Sequence, residues 1–506
     1  MRKQRVLIAA IAAALAMTMT SGPANAVDDI KTKGLRDAVT VGGILSHERV
    51  LQRIANNNDG TRASGTPGYA ASAKYVKQTL RTAGYKVTEQ EFTFPFFREL
   101  APATLEQTAP TPTTYETGTF SFSGSGDVTG ALEPIDIMIP PSPEPSSTSG
   151  CEESDFPAAP AEPAIALIQR GSCDFGLKAA NAQAAGYDAA IIFNEGQEGR
   201  TDLIIGTLGG PVDIPVVGLS FADGAALYDQ TQAGDVEVHV ATETETDLNA
   251  KTSNVFAETR EGDPKKTVVV GAHLDSVVEG PGINDNGSGT AALLEIAEQM
   301  AELKKDPRQQ VRFAFWGAEE SGLLGSEHYV ANLSDRALGN IVANLNFDMV
   351  GSLNFVRFVY DGNGSAGGPS GPPGSGQIER IFTKYFDGRG LASDPTEFNG
   401  RSDYGPFIAA GIPAGGLFSG AEGVKTEEQA AIYGGTAGEA YDSCYHQACD
   451  TMTNLSTKAL RQLGDAAAHA IWTLARTKTG FFGDGGLRAP SGRAPKPMYD
   501  GSHAVR

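Results

Sequence analysis

The sequence predicts an α/β protein whose main sheet is mostly parallel and sandwiched by helices, with an inserted β-rich domain. Three observations lead there. Residues 249–480 alternate apolar, β-branched runs with helical stretches, the pattern of a parallel sheet covered on both faces. Residues 119–248 break that rhythm with dense Gly, Pro and Ser and shorter apolar runs. Acids and histidines recur where the apolar runs of 249–480 end, and in an open parallel sheet those ends form one crevice where ligands bind.

Taken in chain order, Arg2, Lys3 and Arg5 precede the apolar run Val6–Met17 and then Ala24-Asn25-Ala26. These are the parts of an export signal, residues 1–26, with cleavage expected after Ala26. The run is short for a bilayer span, no Cys stands at the cleavage site to take a lipid, and no later stretch is apolar for long enough to span. A secreted, extracellular protein without a membrane anchor is expected. Residues 27–118 open the main domain: Ile44–Asn57 and Thr66–Gly84 read as helices, and Val87–Phe94 as a strand closed by Pro95. In the insert, 119–248, Pro140–Ser149 reads as a loop. Runs at Ile165–Ile168 and Ala189–Phe193 flank the helical stretch Phe175–Ala185, and Ile214–Leu219 and Val236–Val240 add further strands. In 249–480, Thr267–Ala272, Val311–Trp316 and Ile341–Phe347 read as strands, and Gly289–Lys304 and Thr457–Arg476 as helices. Residues 361–376 hold seven Gly and read as a flexible loop. The tail, 481–506, is rich in Gly, Pro and Arg from Gly483 on and is expected to be disordered or trimmed.

A chain of 506 residues has room for two or three domains, and a formal net charge of -21 excludes binding to nucleic acid or an anionic membrane by bulk electrostatics. Export permits disulfides. The four Cys allow three pairings, of which proximity favours Cys151–Cys173 and Cys444–Cys449.

His273 directly follows Thr267–Ala272, with Asp275 two residues on. Asp285 sits just before a helix, Glu319 and Glu320 follow Val311–Trp316, and Asp348 follows Ile341–Phe347. His446 lies between Cys444 and Cys449. Each has a bland explanation: a strand-end Asp is more often a helix cap, and a Glu pair can open a helix favoured by its dipole. Their joint recurrence at strand ends makes those readings poor together. Two His and three carboxylates suit zinc, and one Asp shared between two ions, with two further ligands for each, uses all five. Adjacent Glu residues alternate sides in a strand, but at a strand-to-helix turn one can bind metal while the other acts as a base. Other catalytic patterns fail: His47-Glu48 has no His three residues further on, and Ser288 lacks the two flanking glycines of a nucleophile elbow. The remaining histidines, His47, His239, His328, His469 and His503, are given no chemistry.

The segments GAHLDSV (271–277), GINDNGSG (282–289), WGAEESGLLGS (316–326), NLNFDMVGS (344–352), GRSDYGPF (400–407) and CYHQACD (444–450) resemble, in order and spacing, the secreted bacterial di-zinc aminopeptidases. The resemblance covers 249–478 and more weakly 40–95. It implies the zinc exopeptidase fold, with His273 and Asp348 on one zinc, Glu320 and His446 on the other, and Asp285 bridging both. It implies Glu319 as general base and Asp275 as the residue orienting His273. Tyr445 would stabilise the oxyanion, and Arg401 would lie on the substrate side. Asn286 stands where many distant members have a second Asp, as in the nearest secreted members. SGCEESDF (149–156) and LIQRGSCDFGLKAANAQAAG (167–186) resemble a protease-associated domain, in which the two Cys often pair.

The expected protein is therefore a monomeric, zinc-dependent aminopeptidase with two Zn²⁺ per chain. It would act on peptides with a free N-terminus, preferring Leu-like residues by family analogy. A calcium requirement does not follow from the sequence. Two competing readings are a carboxypeptidase or dipeptidase on the same scaffold, for which Arg401 alone offers a basic group, and a receptor-like protein with a vestigial site, against which all five ligand positions count.

Overall fold

The structure is a computed structural model that describes residues 30–157, 163–303 and 305–478. The signal segment, Lys304, His503 and the tail lie outside the described residues. Within them, one thirteen-stranded sheet runs through both parts of the chain. On the peptidase side the spatial order is Asp394–Thr396, Phe358–Tyr360, Ala414–Phe418, Ile341–Phe347, Asp263–His273 and Gln309–Trp316. The run from Ala414–Phe418 to Gln309–Trp316 is parallel throughout. Its strands are rich in Val, Ile, Leu and Phe because both faces are covered, and apart from the exposed start at residues 263–266 they are mostly buried. The helices Val41–Asn56, Pro67–Thr82, Gly289–Ala301, Ser375–Asp387 and Thr457–Arg476 pack on one face. Leu324–Ala331 and Gly405–Ala409 cover the other, around Trp316, Tyr329 and Phe407.

A long antiparallel ribbon, Lys86–Ala109 with Glu237–Glu258, joins the two parts. Its base pairs with Gln309–Trp316. Its tip carries the parallel strands Gly126–Ile135, Ala164–Gln169, Ala189–Phe193 and Val216–Leu219. The insert has apolar clusters of its own, centred on Ile168 and Phe120 on one face and Leu167 and Val217 on the other. Cys151–Cys173 and Cys444–Cys449 are the disulfides, as proximity suggested. No helix among the described residues is long and apolar enough to cross a membrane.

Two expectations are corrected. Pro95 does not close its strand, which continues to Ala109. The register jumps between Phe94↔Ala250 and Phe96↔Asp247, so Pro95 falls in a bulge where no ladder hydrogen bond is asked of it. The glycine-rich stretch is irregular only to Gly374, because a helix starts at Ser375 inside the expected loop.

Candidate active site

The sheet brings the predicted residues together at the carboxyl ends of its parallel strands. His273 is the last residue of its strand and 1% exposed; Asp348 directly follows Phe347; Glu319 and Glu320 lie three and four residues past Trp316. Asp285 stands four residues before the helix Gly289–Ala301. That helix begins at a glycine because a Cβ there would lie 2.2 Å from the Phe347 carbonyl oxygen. His446 projects from the loop closed by Cys444–Cys449. Ala318, Met349 and His446 all hold positive φ although none is glycine, so sparsely populated backbone clusters around the site.

His273 Nε2 lies 3.2 Å from Asp285 Oδ1 and 3.2 Å from Asp348 Oδ1. His446 Nε2 lies 3.3 Å from Asp285 Oδ2 and 3.1 Å from Glu320 Oε2. The two Asp285 oxygens thus face two separate sets of nitrogen and oxygen atoms. Glu319 Oε2 stands further back, 4.0 Å from His273 Nε2. His273 Nδ1 approaches the Asp275 carbonyl oxygen at 3.1 Å and its carboxylate Oδ1 at 3.7 Å. The same Oδ1 accepts the Glu319 N–H at 3.3 Å. The Asp275 side chain therefore serves Glu319 as well as His273.

The electrostatics favour positive charge at both points. Burial pulls the His273 imidazole down, but Asp348 and Glu319 outweigh it and raise its pKa well above the usual range. Glu320 and Asp285 likewise overcome burial and raise His446. Asp285, despite burial, is held below the usual carboxylate range by hydrogen bonds to the two imidazoles. Burial pushes Glu320 up to about 7 and raises Glu319 well above the usual carboxylate range, with the neighbouring acids adding to the Glu319 rise. The donor set fits bound metal: buried His273 comes together with Asp285 and Glu320 and with Glu319 and Asp348, His446 Nε2 reaches Asp285 and Glu320 from a more exposed position, and Glu320 Oε1 has no hydrogen-bond partner.

Beside these residues a cavity of about 340 Å³ is walled by Met349, Phe358, Phe418 and Tyr441. Arg401 and Tyr445 also line it, and Arg401 donates from Nη1 to Glu422 (2.6 Å) and from Nη2 to the Tyr445 hydroxyl (3.2 Å). Burial, then Asp285 and Glu320, keep the Tyr445 phenol far above its ordinary range.

The structure adds residues that received no role from the sequence. Ser402, next to Arg401, donates to Asp348 Oδ2 and accepts from Asn346. Asp450, directly after Cys449, accepts the backbone N–H groups of Asn284 (2.9 Å) and Asp285 (3.0 Å), tying the His446 loop to the Asp285 loop. Both lie inside motifs already singled out. Arg62 and Ser64, which reach the same loops from the N-terminal segment, carry no such signal.

This fold and site define a metal-dependent hydrolase with its centre at the strand ends of an α/β sheet. The model of peptidase family M28 matches residues 254–471, and that of the PA domain matches 129–227. An aminopeptidase of Pseudomonas aeruginosa is 49% identical over 453 residues, 88% of this chain and 83% of the relative. A probable leucine aminopeptidase 2 of Aspergillus fumigatus is 40% identical, over 82% of this chain and 79% of its own. The solved structure of a zinc aminopeptidase from Bacillus subtilis superposes with a TM-score of 0.62 at 27% identity, covering 87% of this chain and 96% of that one. The chain belongs to peptidase family M28, as a metallo-aminopeptidase with an inserted PA domain.

Proposed function

We propose that the chain is a secreted zinc aminopeptidase that removes N-terminal residues, Leu-like ones preferred, through a centre of two zinc ions. The observation that carries this is the shared Asp285 carboxylate, with one oxygen toward His273 and the other toward His446. His273 and Asp348 would hold one zinc, and Glu320 and His446 the other, with Asp285 common to both. Bound there, the ions would polarise the scissile carbonyl and acidify water.

The remaining work falls to the chain. Glu319 takes a proton from the attacking water and passes it to the leaving amine; its burial makes the carboxylate a stronger base than an exposed one. Tyr445, kept protonated, donates its hydroxyl hydrogen to the developing oxyanion. Because Arg401 Nη2 donates to the Tyr445 oxygen, the tyrosine's own hydrogen is left for substrate. Asp275 orients His273 and the Glu319 backbone. Glu319 and Asp348 stand where a substrate α-amine would meet negative charge. The aromatic walls of the cavity suit an apolar side chain, in line with the leucine aminopeptidase named among the relatives. The division into 27–118, 119–248 and 249–480, the monomeric state and export after residue 26 belong to the same reading; the two disulfides support export.

One peptide in free, N-acetylated and C-amidated forms tests it. The free and amidated forms should lose residues singly from the N-terminus. Acetylation removes the charge that the acids bind and leaves them unpaired, so that form should be cut far more slowly. Rapid cleavage of the acetylated peptide, or stalling only on the C-terminal amide, would replace the aminopeptidase by a carboxypeptidase.

A further inference from the structure

Between the helices Val41–Asn56 and Pro67–Thr82 runs a short irregular strap, Thr61-Arg62-Ala63-Ser64, all of it buried. Irregular backbone buried this deeply has to find hydrogen-bond partners, and here its partners are the loops that carry the active-site residues. The Arg62 guanidinium is fully buried and donates in three directions: from Nε to the Pro281 carbonyl (2.8 Å), from Nη1 to the Leu274 carbonyl, and from Nη2 to the Gly282 carbonyl (2.5 Å). Leu274 directly follows His273, and Pro281 and Gly282 lead into Asp285. The Arg62 N–H donates to Ser276 Oγ (2.9 Å), and Thr61 Oγ1 donates to the Val277 carbonyl (2.8 Å). Ser64 Oγ accepts the N–H of Ala318 (2.7 Å), the positive-φ residue just before Glu319. One four-residue segment therefore fastens the loops of His273, of Asp285 and of Glu319.

A fully buried cation is unfavourable unless it is paired and hydrogen-bonded. Burial disfavours the Arg62 charge, and the acids that offset this are Glu48 most strongly, then Asp275, Asp450 and Asp285. The Glu48 carboxylate is itself 0% exposed, has no hydrogen-bond partner, and lies against Gly287 of the Asp285 loop, where a Cβ would be 2.9 Å from its Oε2. A hydrophobic residue could fill this space without a charge. A planar fork that reaches carbonyls on two loops at once is something only arginine offers, and lysine, with its donors on one nitrogen, cannot reproduce it.

We infer that Arg62, with Ser64, is a positioning residue for the metal centre, setting the spacing of the His273, Asp285 and Glu319 loops. The inference rests on the zinc reading above. The full mature chain is loaded with zinc or cobalt(II), and wild type is compared with Arg62→Lys and Ser64→Ala. The readouts are zinc affinity by chelator competition, the visible absorption of the cobalt form, and kcat and KM on an aminoacyl reporter. Arg62→Lys should lower zinc affinity by about 10–100-fold, the usual effect of losing an outer partner of a metal site. It should also alter the cobalt spectrum and reduce kcat with little change in KM. Ser64→Ala should keep both metals and lower kcat alone, since its bond sits beside Glu319. A folded Arg62→Lys protein with wild-type zinc affinity and cobalt spectrum overturns the inference. Where Arg62→Lys does not fold, Ser64→Ala decides, and unchanged kcat overturns it. A wild-type chain that takes up neither zinc nor cobalt sinks the zinc reading instead.

Discussion

The two adjacent glutamates divide at the level of single atoms. Glu320 Oε2 lies 3.1 Å from His446 Nε2, within the group that also contains Asp285, whereas the nearest approach of Glu319 to an imidazole nitrogen is 4.0 Å. Glu319→Gln keeps the shape but cannot accept a proton, so kcat should fall by about 10²–10⁴-fold while metal content stays at the wild-type value. Glu320→Gln should instead lose metal. Elemental analysis beside steady-state kinetics checks both, and equal metal loss in the two variants would show the pair wrongly divided. Tyr445→Phe removes one oxyanion donor and should lower kcat by about 10²–10³-fold with metal content unchanged. Glu319 and Glu320 stood out in the sequence because they follow an apolar strand at a turn; which of them is the base, and the part given to Tyr445, came from the resemblance to the di-zinc aminopeptidases. Arg62 did not stand out: its partners are backbone carbonyls more than 200 positions away, which no local pattern announces.

At the scale of elements, continuous apolar runs located the strands covered on both faces, and one-sided helical periodicity located the amphipathic helices. Ile341–Phe347 and Thr457–Arg476 came out at their observed limits. The ribbon was legible only as fragments, since Pro95 looks like an end until the bulge that accommodates it is seen. The last helix also bears on pH. His469 stacks on Tyr385, its Nδ1 lies 2.8 Å from Thr32 Oγ1, and burial, then Arg36, lowers its pKa from the usual 6.5 to about 4. The folded protein thus prefers the neutral imidazole. Between about pH 6.5 and pH 4 the unfolded chain binds a proton that the folded one does not, so stability falls as pH falls through that window, by at most about 1.4 kcal/mol per unit from this group. His469→Gln should flatten the pH dependence of urea unfolding between pH 7 and 5. An unchanged slope would remove His469 from the account.

For the whole molecule, the question is whether the insert belongs to the catalytic body or only hangs from it. Its apolar clusters are distinct from the large one beneath the site, and none of the described residues between 99 and 244 lines the cavity. It is tied to the ribbon by the ladder of Gly126–Ile135 with Glu237–Glu258 and, toward the waist, by Ser125 with Thr244, Thr119 with Glu99, and Phe122 against Phe97. Composition revealed the insert, because two domains with separate cores need not share a rhythm; the shared sheet stayed hidden, because strand pairing is long-range. At the ribbon's waist Arg98 and Glu245 are direct partners, their side chains paired at 2.6 Å. Replacing residues 99–244 by Asn-Gly asks the two strands to close in a two-residue hairpin, the turn whose twist matches theirs. Phe92, Phe94 and Phe96 would keep their packing against Ala250 and Ala318. The shortened chain should fold, hold as much zinc as the parent and hydrolyse a small aminoacyl reporter. Any dependence on the insert should appear with long peptides or folded proteins, whose bulk reaches beyond the cavity. If the shortened chain folds but no longer takes up zinc, the insert is part of the catalytic body, and the ribbon transmits order to the site as well as joining two domains.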